Sequence, residues 1–238
     1  MSDVLLRKIK VSKLSDEQIS EMFSLFHLYY DDISPDLFFN DLKEKSHVLM
    51  IYHERRVVGF STMLRKKFST PNISITSLFT GDTVVRKDFW GSKALQRAFF
   101  WYILETKLIY FWRPMYWFLI SKGYKTYLMM VTNFNESYPR RERQTPDDVK
   151  ELQDRYYLDR YGCFYNKNLD IIDFKASKGS VKADFHDLSE RMKINPDVLY
   201  FLQRNPRFAD GVELACICKI SFMDFFFHLQ KYFLKFFK

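Results

Sequence analysis

The sequence predicts an α/β (α+β) fold with a mixed central sheet flanked by helices. Three observations predict it. First, several short runs alternate between apolar and polar residues or are rich in β-prone residues. Second, other segments carry apolar residues every three or four positions, as helices do. Third, strand-like and helix-like segments follow each other in an irregular order. The irregular order excludes a TIM barrel and a regular doubly wound sheet. The 238 residues, 47% of them apolar, suit one domain with an appendage.

The first half of the chain predicts a strand, two helices and a hairpin. Val4–Val11 alternates loosely, and Ser15 is a suitable N-cap for the helix that follows it. Ser34-Pro35 starts a second helix over Asp36–Lys45, with proline in its first turn. Two apolar runs joined by a short charged turn then predict an antiparallel hairpin, and a β-prone run follows them: Val48–Tyr52, Val57–Leu64 and Ser74–Val85.

The second half of the chain predicts an aromatic helix over Lys93–Trp112, ended by Arg113-Pro114. We expect a short helix over Met115–Lys122 and a strand over Thr126–Val131. The remaining predictions, in chain order, are a polar loop over Asn133–Lys150, a helix over Asp147–Arg160, a strand over Asp170–Phe174, a basic loop over Lys175–Lys182, a helix over Pro196–Gln203, a strand over Val212–Ile220 and a last helix over Ser221–Lys238.

The charge and cysteine content narrow the functional classes. A net charge of +8 with 18% aromatic residues fits an anionic lipid, a nucleic acid or an acidic protein as partner. Three cysteines cannot all pair internally, and the first residues do not resemble a signal peptide, so we expect a reduced, cytoplasmic protein. The longest aromatic run is broken by charges and a proline, which argues against a membrane-spanning helix and leaves a membrane-peripheral role open.

The junction Thr83–Leu95, TVVRKDFWGSKAL, is the most informative segment for function. A long strand ends there, a loop follows, and a helix begins. Amide groups at a helix N-terminus point outward unpaired and attract anions. Gly91 permits close approach, and Arg86 and Lys87 add positive charge. The junction therefore predicts either a phosphate site or an ordinary strand-to-helix turn with solvated charges.

In element order the chain resembles the GNAT-type acyltransferase superfamily over about residues 4–135. The resemblance is carried by the helical stretch around Phe23–Asp41 and by four further segments, VLMIYHERRVVGFSTML, SITSLFTGDTVV, RKDFWGSKAL and YLMMVTN. It implies an acyl-thioester donor, acyl-CoA or a phosphopantetheine-linked acyl group, and an amine acceptor that attacks directly. It also implies that strands four and five separate around the donor.

The resemblance implies site residues as well. The donor would lie on the backbone and side chains of Val84, Val85, Arg86, Lys87, Trp90, Gly91 and Ser92. A backbone N–H around Val84 would stabilise the oxyanion. Asp82 would be the base and Tyr138 the acid, although an exposed strand-end carboxylate and a packed ring explain these two residues equally well.

The loop departs from the family pattern at three positions. Trp90 stands where a basic or amide residue is common, and Lys93 and Leu95 stand where small residues are usual. An acyl carrier protein as donor is consistent with that departure, and the chain is also similar to the long-chain N-acyl amino acid synthase branch. The crowded loop equally favours a non-catalytic binding or membrane-associated module on the same scaffold.

Two aromatic segments define the predicted domains. Residues 1–220 form the acyltransferase-like domain, with a helical insertion at about 99–123, and residues 221–238 form a C-terminal amphipathic helix. The ten rings between Phe99 and Phe118 predict core, an apolar ligand slot or a contact surface. In the last helix, aromatics including Phe222, Phe225 and Phe226 oppose Asp224 and the lysines, which predicts either membrane contact or docking on the domain.

Other sequence signals are weaker. The five histidines show no metal-ligand spacing, so no metal site is predicted. The basic clusters Arg65–Lys67 and Arg140–Arg143 predict solvated surface, or a site for an acidic carrier protein or lipid head groups. No nucleic-acid-binding motif is recognisable, so nucleic acid ranks lowest among the partners.

Overall fold

The computed structural model describes residues 4–30, 34–174, 192 and 194–227, and a mixed sheet dominates these residues. The nine strands, β1 to β9 in chain order, are Leu5–Lys10, His47–His53, Arg56–Ser69, Ser74–Val85, Met115–Ser121, Ser137–Tyr138, Tyr165–Asn166, Ile171–Ile172 and Glu213–Ile220. Their order in the sheet is β1-β2-β3-β4-β5-β9-β8-β7, with β6 also paired to β9.

Helices flank this sheet. They are α1 to α6 in chain order, Asp16–His27, Pro35–Lys43, Ala94–Ile109, Tyr124–Asn133, Asp147–Tyr161 and Pro196–Arg204, and residues 222–227 are also helical. The predicted N-cap Ser15 is confirmed, since it forms a capping box with Gln18. At the predicted start of α2, the Ser34 hydroxyl accepts a hydrogen bond from Leu37 N–H. The mixed α/β class predicted from the sequence is therefore confirmed.

Two predictions around β5 are wrong. Met115–Lys122, predicted as a helix, forms β5, because a central strand is buried on both faces and loses the alternation by which a strand is recognised. Thr126–Val131, predicted as a strand, lies within α4, which buries Tyr127, Met130 and Val131 at helical spacing. The predicted helical insertion at 99–123 therefore consists of α3 followed by β5.

The central strand β5 separates two layers of the core. Met115, Trp117 and Leu119 face a cluster that includes residues of α3, α4 and α6. Tyr116 and Phe118 face the other cluster, which contains the buried residues of α5. Many of the predicted aromatic residues are therefore core, while Trp101, Phe111 and Trp112 are exposed.

The described part of the C-terminal helix has a different orientation from the predicted one. Phe225 and Asp224 are buried, and Phe222 and Phe226 are exposed. The Asp224 carboxylate accepts hydrogen bonds from the backbone N–H groups of Ser221 and Asn135, which ties the helix start to the domain. Asp224 was expected on the polar face, but it caps the helix instead. The rest of this helix and the predicted basic loop Lys175–Lys182 lie outside the described residues.

Two adjacent tyrosines of α5 provide a direct test of the core. The Tyr157 hydroxyl lies 2.9 Å from the Leu119 carbonyl oxygen and 2.6 Å from that of Cys216, so it links β5 and β9. The neighbouring Tyr156 hydroxyl is buried without a hydrogen-bond partner in the described part of the chain.

We therefore expect Tyr157→Phe to lower the free energy of unfolding by about 1–2 kcal/mol, because buried acceptors lose their donor. Tyr156→Phe removes an unpaired hydroxyl and should leave stability unchanged or slightly raised. Urea denaturation followed by circular dichroism compares the two variants. An equal loss in both would contradict the assigned hydrogen bonds.

Candidate functional site

The strands β4 and β5 separate halfway along β4. They pair in parallel from Thr76↔Met115 to Thr80↔Leu119, and beyond Thr80 β4 continues to Val85 paired with β3 but no longer with β5. The Trp117 indole donates a hydrogen bond of 3.1 Å to the Thr80 hydroxyl at the last pair. The predicted separation of strands four and five is therefore present, although the fifth strand is Met115–Ser121 rather than YLMMVTN.

A β-bulge lies where the two strands part. Register between β3 and β4 shifts between Ser61↔Thr83 and Met63↔Thr80, so Gly81 and Asp82 both stand opposite Thr62. A side chain at Gly81 would place its Cβ 2.6 Å from the Thr62 hydroxyl and 2.7 Å from Lys45 Cε. Glycine is thus required by the close approach of these side chains.

A first cavity of about 250 Å³ lies in the gap between the strands. Its walls are the end of β4 from Thr83 to Val85, Trp90 of the following loop, and the segment Lys122–Thr126 that leads from β5 into α4. Tyr29 and Tyr30 close it at the end of α1. The predicted donor site on Val84, Val85 and Trp90 therefore coincides with a real hollow.

The backbone of Val85 faces this gap. Arg86 N–H donates to the Val58 carbonyl at 2.8 Å, so Arg86 faces β3. Because backbone groups alternate along a strand, Val84 also faces β3 and Val85 faces away from it. The Val85 carbonyl confirms this direction, since it accepts a 2.7 Å hydrogen bond from the Trp90 indole. Val85, next to the predicted Val84, therefore has the gap-facing amide.

In the loop after β4, more backbone amides already have hydrogen-bond partners than the sequence suggests. It forms a 3₁₀ turn over Lys87–Ser92. Lys87 N–H already donates to the Tyr29 hydroxyl at 2.8 Å, and Phe89 N–H donates to the Arg86 carbonyl. Lys93, which precedes α3, has a left-handed φ of 54°. The phosphate prediction therefore narrows to the end of the turn around Gly91 and Ser92.

Basic side chains surround the mouth of the first cavity. Lys122 and Lys125 are among its lining residues, and the Lys125 ammonium lies 5.0 Å from the centre of the Trp90 ring. Lys87 is exposed on the same loop. Arg86 contributes less charge, since it pairs with Asp88 at 3.2 Å. This positive charge is compatible with an anionic ligand.

A second cavity of about 390 Å³ opens on the other side of the same strands. It shares Tyr30, Thr83, Lys122 and Thr126 with the first, so the two cavities meet at the gap. Its wall includes Asp82, which the bulge places there. The structure therefore places the predicted base Asp82 and the predicted donor site on the two sides of one opening.

Tyr30 is one of the four polar residues that the two cavities share. Burial raises the pKa of its phenol well above the usual value, and the carboxylates of Asp82 and Glu213 raise it further. Its ring stacks on the Phe26 ring with 4.3 Å between the ring centres, and the Lys122 ammonium lies 5.2 Å from the centre of the Tyr30 ring. Tyr30 is therefore a neutral phenol at physiological pH, able to donate a proton close to two carboxylates.

Glu213 is a buried carboxylate at the start of β9. It lies 3.6 Å from the Lys122 ammonium and lines the second cavity. Sequence reasoning missed Tyr30, Lys122 and Glu213. For Glu213 the available signal was a glutamate directly before an apolar run, Leu214–Cys218.

Tyr138, the predicted acid, lies elsewhere. It is buried in β6 beside β9, in the cluster that faces α5, and it belongs to the wall of neither cavity described here. The Arg143 guanidinium covers its ring at 5.3 Å. YLMMVTN is helical, so Tyr138 does not follow the fifth strand as the sequence predicts.

The predicted basic clusters are largely engaged within the domain. Arg140 donates to the carbonyl oxygens of Val131 and Phe134 at 2.8 and 3.0 Å. Arg65 donates to the Thr106 hydroxyl. Within residues 4–30, 34–174, 192 and 194–227, no group of three potential metal ligands is present, and no helix is long and apolar enough to cross a membrane.

Comparison with known proteins gives structural similarities alone. No protein-family model and no curated protein matches the chain. A probable N-acyltransferase from Enterococcus faecalis shares 11% identity over 53% of this chain and 32% of that one, with a TM-score of 0.41. A Trypanosoma brucei acetyltransferase shares 17% identity over 59% and 98% of the two chains, with a TM-score of 0.41, and Escherichia coli ElaA shares 15% over 58% and 88%, with a TM-score of 0.39.

The match spans about a third of the Enterococcus protein, and all three TM-scores lie below 0.5, so these similarities do not say what this chain does. The chain's own topology bears on the GNAT resemblance. From β1 to β5 the elements follow the order that the resemblance implies, which is a strand, two helices, a hairpin, a long fourth strand, a loop, a helix and a fifth strand.

The bulge can be tested by filling it. Gly81→Val should lower the free energy of unfolding by roughly 1–3 kcal/mol, because the added atoms overlap Thr62 and Lys45. Gly123→Ala is the matched control, since no atom lies within 4 Å of the point where its Cβ would stand and its backbone is extended. Thermal and urea unfolding measure both. A stable Gly81→Val protein would show that the bulge is not tightly packed.

Proposed function

We propose that this protein transfers an acyl group from an acyl-thioester to an amine by direct attack. The observation that carries the proposal is the gap between β4 and β5, which joins a cavity beside a gap-facing amide to a cavity with a carboxylate. A thioester and an amine that enter from opposite sides would meet at this opening, which is the proximity that a two-substrate reaction needs.

The donor we propose is acyl-CoA or another phosphopantetheine-linked acyl group. The positive charge of Lys125, which lines the first cavity, and of the exposed Lys87 on the adjoining loop supports an anionic, phosphate-bearing carrier. Gly91 and Ser92, just before α3, are the proposed phosphate contacts. An acyl carrier protein as donor and the N-acyl amino acid synthase branch stay predictions within this proposal.

The oxyanion contact we assign is the Val85 N–H. It lies on the same side of β4 as the Val85 carbonyl, which the Trp90 indole holds. A fixed amide that points at the thioester carbonyl stabilises the negative charge of the tetrahedral intermediate without reorganising. Trp90 thereby acts as a positioning residue for this strand end.

The protons can move within the shared opening. The amine attacks the thioester carbon and forms the C–N bond, the C–S bond breaks, and Asp82 takes the amine proton. Tyr30 donates its proton to the leaving thiolate and regains one from Asp82, so one proton passes from nitrogen to sulfur. The raised pKa keeps the Tyr30 phenol protonated at neutral pH. It also makes the phenol a weak acid, so its proton passes to the thiolate in concert with the return of a proton from Asp82.

A binding module on the same scaffold is the second candidate. The Trp90 indole already donates a hydrogen bond to the Val85 carbonyl, and Lys87 N–H already donates one to the Tyr29 hydroxyl. Fewer backbone groups of this loop are therefore left to hold an acyl donor in a reactive position, which supports binding without catalysis. Such a module would bind a thioester without turning it over. We propose in either case that residues 1–220 are the functional domain and that the three free cysteines reflect a reducing cytoplasm.

The proposal predicts thiol release when acetyl-CoA or a long-chain acyl-CoA is mixed with primary amines. Asp82→Asn should lower kcat/KM by about 100-fold, because an amide cannot accept the proton. Asp16→Asn, a carboxylate in the first turn of α1 and outside both cavity walls, is the matched control and should keep full activity. Thiol release is followed spectroscopically and the product by mass spectrometry.

Calorimetry separates the two candidates. Acyl-CoA binding without turnover for any amine would favour the binding module. The absence of binding to every thioester donor, with folded protein, would contradict both.

A further inference from the structure

The outer side of α3 and the helix at residues 222–227 present an exposed apolar surface. We call it the aromatic face, and it consists of Trp101, Leu108, Phe111, Trp112, Phe222 and Phe226. Trp101 and Phe111 are each 64% exposed and Trp112 is 62% exposed. A helix surface in water is normally polar, so three such rings on one element and its C-terminal turn indicate a contact surface.

The two helices form one continuous surface. The rings of Phe100 and Phe225 lie 5.5 Å apart, and the Lys107 ammonium lies 5.3 Å from the centre of the Phe222 ring. Trp101 and Leu108 lie about 100° further round α3 than Phe100 and Lys107, on the exposed side of the helix.

The opposite side of α3 and of the helix at residues 222–227 is already packed in the core. Phe99, Tyr102 and Ile103 of α3 are buried in the main cluster. Phe225 is buried in the same cluster, and Asp224 is held by Ser221 and Asn135. Turning Phe222 or Phe226 inward would break these contacts, so the orientation that exposes them is fixed by the fold.

Positive charge flanks the aromatic face. Arg97 is exposed one turn before Trp101. At the other end, the guanidinium group of Arg113 lies 5.8 Å from the centre of the Tyr110 ring, next to Phe111 in sequence. The carboxylate of Glu105 on α3 is paired with Lys8.

We propose that the aromatic face docks on the surface of an anionic lipid bilayer. Tryptophan and phenylalanine rings enter the interfacial region, while arginines beside them pair with lipid phosphates. The net charge of +8 adds long-range attraction to an anionic surface. The surface lies on the bilayer and does not span it, so a long apolar helix is not required. This inference is independent of acyl transfer.

Vesicle co-sedimentation with the full chain tests it. The probes are vesicles of phosphatidylcholine alone and of phosphatidylcholine with 30% phosphatidylglycerol. We expect binding to the anionic vesicles that weakens as salt rises. In the variant W101S/F111S/W112S the partition coefficient should fall at least about tenfold, because the inserted rings are lost.

The control variant is L158S/F164S/L199S, which replaces three exposed apolar residues outside the aromatic face and should bind like the wild type. Circular dichroism and Tm establish that both variants fold. Quenching of tryptophan fluorescence by brominated lipids gives a second readout, and it should disappear in W101F/W112F, which keeps the buried Trp117 and the Trp90 of the first cavity.

Three outcomes would overturn the proposal. They are the absence of binding to anionic vesicles, equal binding by W101S/F111S/W112S and the wild type, and a wild-type dimer that this variant converts to monomer without any vesicle binding. The last result would assign the aromatic face to a contact between two copies of the chain.

Discussion

The β-bulge at Gly81 and Asp82 is the constraint on which the rest of the site depends. Two β4 residues stand opposite one residue of β3, and the pairing of β4 with β5 ends beside them at Thr80. Backbone groups that leave a ladder need other partners when they are buried. On the side where β5 would continue, the end of β4 faces the first cavity, which leaves room for a ligand to supply such partners. Asp82 lines the second cavity.

A buried lysine packs against the bulge. Lys45 at the end of α2 has a side chain only 1% exposed and pairs with Asp41. A buried cation is tolerated only with such a partner. Its stem packs where a Gly81 side chain would lie, so the helix, the bulge and the opening of the sheet form one unit. The polar groups at the opening, Tyr30 and Glu213, then approach it from α1 and β9.

The sequence predicts what local pattern controls. The hairpin and β4, Ser74–Val85, are predicted with their approximate or full bounds, because strand alternation and turn residues are local signals. β5 is misread because a strand buried on both faces resembles a buried helix. The helix that follows, α4, is misread as the fifth strand, which moves the predicted acid to Tyr138. The opening instead holds Tyr30 and Glu213, which are distant in sequence and come together only through the sheet order.

The central claim is that the Val85 amide faces a thioester-binding gap. The most direct measurement is a CoA titration of ¹⁵N-labelled protein by NMR, with backbone assignments. We predict large shifts for the amides of Val85, Gly91 and Ser92, and a small shift for Val84, whose N–H faces β3. Saturable CoA binding that leaves Val85 unmoved, or that shifts Val84 more than Val85, would contradict the account.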